Sequence, residues 1–251
     1  MRDWGSGDPL LMVHGLGMSS TLWGAQIAAL APRYRMIAPD LRGFGQSDRP
    51  GAPGSYALSR FVDDIAGLAD ALGVRRVHCL GTSMAGCIVQ ALAVARPDLC
   101  RSLILCNTSQ RIRIPEDVLA SRLRALDSMP MAEYGQLVAS QAVGADAPAD
   151  LQSWVAEQIG LNDRRTYAEV LTAGLATFDT SDMLDRIAVP TLVIVGAEDR
   201  VIPPQQGQEL AARIVGARLE TIPGTGHLSY AERPEVFNRL VLDFLGGVPP
   251  A

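Results

Sequence analysis

The 251-residue chain reads as an α/β protein with a doubly wound, mostly parallel sheet and a helical cap inserted into it. Three observations predict this class. Short apolar runs alternate with stretches of helical spacing up to residue 108 and again from 185, and such alternation buries a parallel sheet between helices. From Ser109 to about Leu184 the strand-like runs vanish and helical spacing dominates. A single serine bracketed by glycines, Gly81-Thr82-Ser83-Met84-Ala85-Gly86, separates an apolar run from a long helical one, the pattern of a tight strand-to-helix turn. The core is therefore expected at 1–108 and 185–251. The cap, 109–184, should cover the carboxyl edge of the sheet, where such sheets bind ligands.

Taken in order, Leu10-Leu11-Met12-Val13 is a short buried strand opening into the loop His14-Gly15-Leu16-Gly17. Thr21 to Leu30 has helical spacing and Pro32 stops it. Tyr34 to Ala38 is a second strand, running into the glycine-punctuated loop Pro39 to Ser47. Ser59 is placed to cap a helix that reaches Leu72 and closes at Gly73. Strand Arg76–Leu80, the serine turn, helix Met84–Arg96 and strand Ser102–Cys106 follow. In the cap, helices are expected over 118–126, 132–143, 151–159 and 166–177. Strand 191–195, helix 205–215, strand 218–222 and helix 234–245 complete the chain.

Composition narrows the class. A hydrophobic content of 48% argues against disorder, and no apolar run nears the roughly 18 residues of a membrane helix. The first eight residues hold no apolar core of a signal peptide, so a cytoplasmic location is expected. Net charge is −5, and all 22 basic residues are arginines scattered along the chain, which leaves no nucleic-acid footprint. Cys79, Cys87, Cys100 and Cys106 lie in or beside apolar segments without CxxC spacing, as buried reduced thiols do. Self-association into a homo-oligomer stays open.

A serine on such a turn is a nucleophile only with a base, and the base needs an orienting acid. Of the three histidines, His78 lies within a strand and reads as a packed, hydrogen-bonded residue. His14 precedes a glycine loop and reads as shaping it. His227, in Pro223-Gly224-Thr225-Gly226-His227, stands just past a strand, where a base at the carboxyl edge belongs. Asp199, in Gly196-Ala197-Glu198-Asp199-Arg200, follows another strand, with Glu198 its nearest rival. Each signal alone is weak, and the three together are strong. Acyl transfer also needs N–H donors for an oxyanion: Met84, directly after the serine, supplies one and Leu16 is placed to supply the other.

These residues resemble the α/β-hydrolase superfamily over nearly the whole chain. His14 to Gly17 is similar to its oxyanion loop and Asp40-Leu41-Arg42-Gly43-Phe44-Gly45-Gln46-Ser47 to its Asp-x-Arg-Gly-x-Gly-x-Ser motif. Gly81 to Gly86 is similar to the nucleophile elbow, Pro190 to Arg200 to the acid-bearing strand and turn, and Gly224 to His227 with Glu232-Arg233-Pro234 to the histidine loop. The resemblance favours Asp199 over Glu198 as the acid. Leu105-Cys106-Asn107-Thr108 leading to Arg111-Ile112, and Tyr167–Asp179 leading to Leu184 and Pro190, resemble 3-oxoadipate enol-lactonases and related small esterases. Ala85 departs from the glycine usual at its place, which implies modest strain and a reshaped pocket beside the serine. The stretch Met1 to Pro9 is too short for the family's amino-terminal hairpin, so the hairpin is short or missing, or the start is truncated.

The resemblance implies hydrolysis of a small carboxylic ester or lactone through an acyl-serine, with no metal or organic cofactor. Trp154, Met129, Arg111 and Arg122 are the candidate substrate contacts. Phe178, Met131, Leu151 and Arg113 are weaker candidates, since core packing or a solvated face accounts for such residues more often. The same three groups serve carbon–carbon bond hydrolysis and cofactor-free perhydrolysis. A hydrolase-like small-ligand receptor with slow turnover is the reading from another class.

Overall fold

Strands covered on both faces are buried along their whole length, and three strands of this chain are. In the computed structural model, which describes residues 1–249, these are β4 (Val77–Thr82), β5 (Cys100–Cys106) and β6 (Thr191–Gly196), with every residue buried. With β1 (Arg2–Trp4), β2 (Asp8–Val13), β3 (Tyr34–Ala38) and β7 (Arg218–Ile222) they form one sheet in the order β1-β3-β2-β4-β5-β6-β7. All pairings are parallel except that of β1, which runs antiparallel to β3 with Trp4 opposite Met36. At this edge, Arg2–Trp4 is a three-residue strand paired with β3. Gly5 and Gly7, at φ +74° and +103°, turn it back to β2; a Cβ on Gly5 would lie 2.5 Å from the Tyr34 carbonyl oxygen.

Helices cover both sides of the sheet. A short 3₁₀ turn, Ser20–Trp23, precedes α1 (Gly24–Leu30), and α2 (Leu58–Ala71) and α3 (Met84–Ala95) follow. Because α3 is apolar all round, it is buried without a break from Met84 to Ala93. Helix α2 starts one residue before Ser59: Ala57 holds the cap position with no side-chain bond. Gly73 ends it at φ +66°.

Between β5 and β6 the chain is helical, apart from a bridge of Arg111 to Asp179. Helices α4 (Glu116–Ser128), α5 (Met131–Ala142), α6 (Ala149–Gly160) and α7 (Arg164–Glu169) occupy it. Small residues let α5 and α6 pack backbone to backbone: a Cβ on Gly135 would overlap the Ala156 carbonyl, and one on Gly160 would stand 3.2 Å from Ala132 Cα. The helix expected over 166–177 is broken. After α7 come a π turn at Val170–Gly174 and a 3₁₀ turn at Leu175–Thr177. Gly174 lies so close to Tyr56 that a Cβ would be 3.0 Å from its carbonyl oxygen, so packing against the core overrides the local pattern. After β6, α8 (Pro204–Arg213), β7, α9 (Ser229–Glu232) and α10 (Pro234–Gly246) close the fold, with α10 packed on α1. Among the described residues no helix is long and apolar enough to cross a membrane, and the four cysteines are buried and unbridged.

Candidate active site

Ser83 joins β4 to α3 at φ 53°, ψ −123°, a backbone region that costs a non-glycine residue on the order of 1–3 kcal/mol. The neighbours make the turn obligatory. A Cβ on Gly81 would lie 2.5 Å from the Ala85 carbonyl oxygen, and one on Gly86 would run into the Thr108 side chain. The Ser83 N–H donates to Cys106 O at 3.0 Å, and its carbonyl accepts from Thr108 Oγ1 at 2.7 Å. Ala85 is fully buried. Ser83 and Asn107 are the only non-glycine residues at positive φ among those described, so the alanine methyl is housed without that strain.

The loop after β2 runs directly beside the serine: a Cβ on Gly15 would stand 3.0 Å from Ser83 Cβ and 3.6 Å from its Oγ. His14 sets this loop from below. Its Nδ1–H donates to Gly15 O at 2.8 Å, and its Nε2 accepts the Leu41 N–H at 2.9 Å. Burial pushes its pKa down to about 4, against smaller upward pulls from the Gly15 carbonyl and Asp40. His78 accordingly stays in the sheet, bonded to Ser102 Oγ at 2.7 Å. The Asp40–Ser47 motif is a loop clamp: the Asp40 carboxylate accepts from Ser20 N and Gln46 N, and Ser47 Oγ donates to Asp40 O.

Asp199 and His227 meet. The imidazole Nδ1–H donates to Asp199 Oδ2 at 2.8 Å. Three further donors hold the carboxylate: Asn107 Nδ2 at 3.0 Å on Oδ2, and the N–H groups of Val201 and Ile202 at 2.8 and 2.9 Å on Oδ1. Burial pushes the Asp199 carboxyl up, but the facing His227 and these donors outweigh it and hold its pKa below the ordinary value. Glu198 points elsewhere, accepting from Ala145 N at 3.3 Å. The acid and base loops are tied by Glu198 N to Thr225 O at 2.8 Å. Three glycines let them touch: a Cβ on Gly196 would overlap the Gly226 carbonyl, and one on Gly226 would lie 2.6 Å from Gly144 N in the α5–α6 turn.

Ser83, His227 and Leu16 all line one cavity of about 390 Å³ beneath the inserted helices. Its walls are mainly apolar, with Ile112, Ile114, Val138, Val155, Ile159 and Leu228 among them, and its cations are Arg113 from the connection after β5, Arg122 of α4 and Arg200 from the loop after β6. Arg122 is half-buried, and no carboxylate pairs with it among the described residues.

Three of the expected substrate contacts lie off this cavity. Trp154 packs half-buried against the core, because the turn of α6 points its neighbours Val155 and Ile159 inward instead. Met129 ends α4, where its carbonyl accepts from Arg164 Nη2 at 2.8 Å. Arg111 is half exposed and held outward by its bridge and its ion pair with Asp179 at 3.4 Å. Phe178 packs in the core edge-on to Phe61, and Met131 and Leu151 are half-buried packing residues.

Two residues at the site had not been singled out by chemistry. Asn107, at φ 46° just past β5, donates to both Asp199 and Gly226 O and accepts from Ser229 Oγ at 2.6 Å. Its signal was there to read: a polar residue right after a buried strand, as at Ser83. Glu232, placed in the histidine loop by resemblance but given no role there, accepts from three backbone N–H groups. No cluster of three or more His, Cys, Asp or Glu suited to a metal ion exists among the described residues.

Strand order, the turn at Ser83 and the helical insertion after β5 are those of hydrolases built on a doubly wound sheet. The family model described as alpha/beta hydrolase fold matches residues 8–234, and the chain belongs to that family. It is 31% identical over 246 residues to a protein of Caulobacter sp. (strain K31) provisionally named a carbamate hydrolase, covering 95% of this chain and 90% of the relative. It is 33% identical over 271 residues to a 2-hydroxymuconate semialdehyde hydrolase of Pseudomonas putida, covering 98% and 89%. The enol-lactonase of Burkholderia xenovorans LB400 superposes with a TM-score of 0.90 at 30% identity, over 98% of this chain and 95% of that one.

Proposed function

We propose that this hydrolase cleaves a small carboxylic ester or lactone through an acyl-serine intermediate. His227 Nε2 takes the Ser83 proton as Oγ attacks the carbonyl carbon, and the N–H groups of Leu16 and Met84 hold the oxyanion. The imidazolium, steadied by Asp199, protonates the leaving oxygen; water then attacks the acyl-serine by the reverse proton path and frees the acid. The observation that carries this reading is the 2.8 Å bond from His227 to the buried Asp199, with His227 and Ser83 opening onto one cavity. The helices between β5 and β6 set substrate choice in this reading, with Arg122 receiving an acidic group where the substrate has one.

The test pairs fluorophosphonate labelling with Ser83→Ala. Label on the Ser83 peptide, and loss of at least about 1,000-fold in p-nitrophenyl ester turnover in a folded Ser83→Ala protein, are expected. Label mapped elsewhere, or comparable turnover after the change, overturns the assignment. Hydrolysis of a carbon–carbon bond is the second reading, favoured by the 33% identity to the semialdehyde hydrolase. A panel of esters, lactones, carbamates and vinylogous diketones separates the two.

A further inference from the structure

Three consecutive N–H groups of the histidine loop are all fixed, the outer two by Glu232 of the sheet domain and the one between them by the insertion. Gly226 N–H donates to both oxygens of Glu232, at 3.0 and 2.9 Å, and Leu228 N–H to Oε1 at 3.0 Å. The N–H between them, that of His227, donates to Ala142 O at 2.7 Å, at the last residue of α5. Glu232 Oε2 in turn accepts the Gly144 N–H at 2.8 Å, two residues beyond that carbonyl. The carboxylate is 4% exposed, and no cation pairs with it among the described residues. Backbone N–H groups alone satisfy it.

The same turn is gripped a second time by the residues either side of Asp199. Arg200 Nη2 donates to Val143 O at 3.0 Å, and Glu198 Oε2 accepts from Ala145 N at 3.3 Å. There is no slack in the joint: a Cβ on Gly144 would come within 2.9 Å of Glu232 Oε2 and 3.0 Å of Gly226 N. The helix that ends here also lines the cavity, through Val138, Gln141 and Ala142.

We infer that Glu232 is a positioning residue that latches the α5–α6 turn to the histidine loop, so that His227 stands in its working place only while the turn is seated. The inference rests on the proposed role of His227. Substrate lying against α5 then presses on the element that carries the base, and binding and proton transfer are linked through one carboxylate. An amide at 232 cannot serve: Oε1 and Oε2 both accept from N–H groups, so either orientation of a glutamine turns an NH₂ toward donors.

Glu232→Gln, Gly144→Ala and the double variant test this, with kcat and KM on a p-nitrophenyl ester and the low-field proton resonance of the His227–Asp199 bond recorded without substrate. Each single variant is expected to lower kcat roughly 10- to 100-fold, the cost of a displaced catalytic group, with a smaller change in KM and a shifted or broadened resonance. The double variant should be no slower than the slower single, since both break one joint. A folded variant with wild-type kcat and resonance overturns the latch, as does a loss confined to the melting temperature. If Glu232→Gln does not fold, Gly144→Ala carries the test with the carboxylate in place. Turnover persisting in Ser83→Ala would sink the proposed chemistry instead, and the resonance still reports on the latch.

Discussion

Acid is expected to act on this protein through His14 before it reaches most carboxylates. The ring is fully buried and neutral, donating to Gly15 O and accepting from Leu41 N, and burial holds its pKa at about 4 against 6.5 in the free side chain. Between those two values the unfolded chain binds the extra proton and the folded one does not. Stability is therefore whole above about pH 6.5 and falls as the pH drops toward 4. At 1.36 kcal/mol for each tenfold step, the gap between 6.5 and about 4 amounts to about 3 kcal/mol from His14 alone. His78, lowered by burial to about 4 as well, weakens the fold in the same window. Urea unfolding at about pH 7 and about pH 4.5 measures most of the loss, and His14→Asn, which offers a donor and an acceptor but does not titrate, should remove about 2 kcal/mol of it. Function follows, because an imidazolium has no lone pair for the Leu41 N–H and the loop bearing Leu16 loosens. A His14 titration midpoint near 6 or above in ¹⁵N spectra, or an unchanged acid loss in His14→Asn, would refute the reasoning.

Two further outcomes are expected. Asn107→Asp replaces a donor on Asp199 with a second carboxylate about 3 Å away; this raises the acid's pKa and should cost on the order of 10²-fold in kcat at neutral pH, read from a pH–rate profile. A flat, wild-type profile would mean that Asn107 only fills space. Arg122→Met should raise KM about tenfold for esters bearing a carboxylate and leave neutral esters alone, the loss of one charged hydrogen bond. Equal changes for both would make the arginine a packing residue.

Much of the sheet was legible because buried parallel strands carry apolar runs, as at Leu10–Val13, Leu103–Cys106 and Leu192–Val195. The break after Glu169 was not, because what bends the chain there is the backbone of Tyr56, over a hundred residues earlier. At the site, strand ends marked Ser83, Asp199 and His227 by position. They marked Asn107 equally well, but an amide suggests no chemistry until its carboxylate neighbour is seen. The bond from Gly144 to Glu232 was beyond reach, since it joins the insertion to a residue far along the chain. Pocket residues chosen by type went astray by one step of helical or extended phase: Val155 faces in where Trp154 was expected, and Ile112 where Arg111 was.

The meeting of Gly144, Gly196 and Gly226 also says where this architecture can diverge. Three distant parts of the chain come so close there that a side chain larger than hydrogen at those places forces them apart. Elsewhere α4 and α6 present the cavity with side chains and little else, and these can be exchanged without disturbing the joint. New specificities can arise by rewriting the roof, provided this meeting place with the floor stays bare.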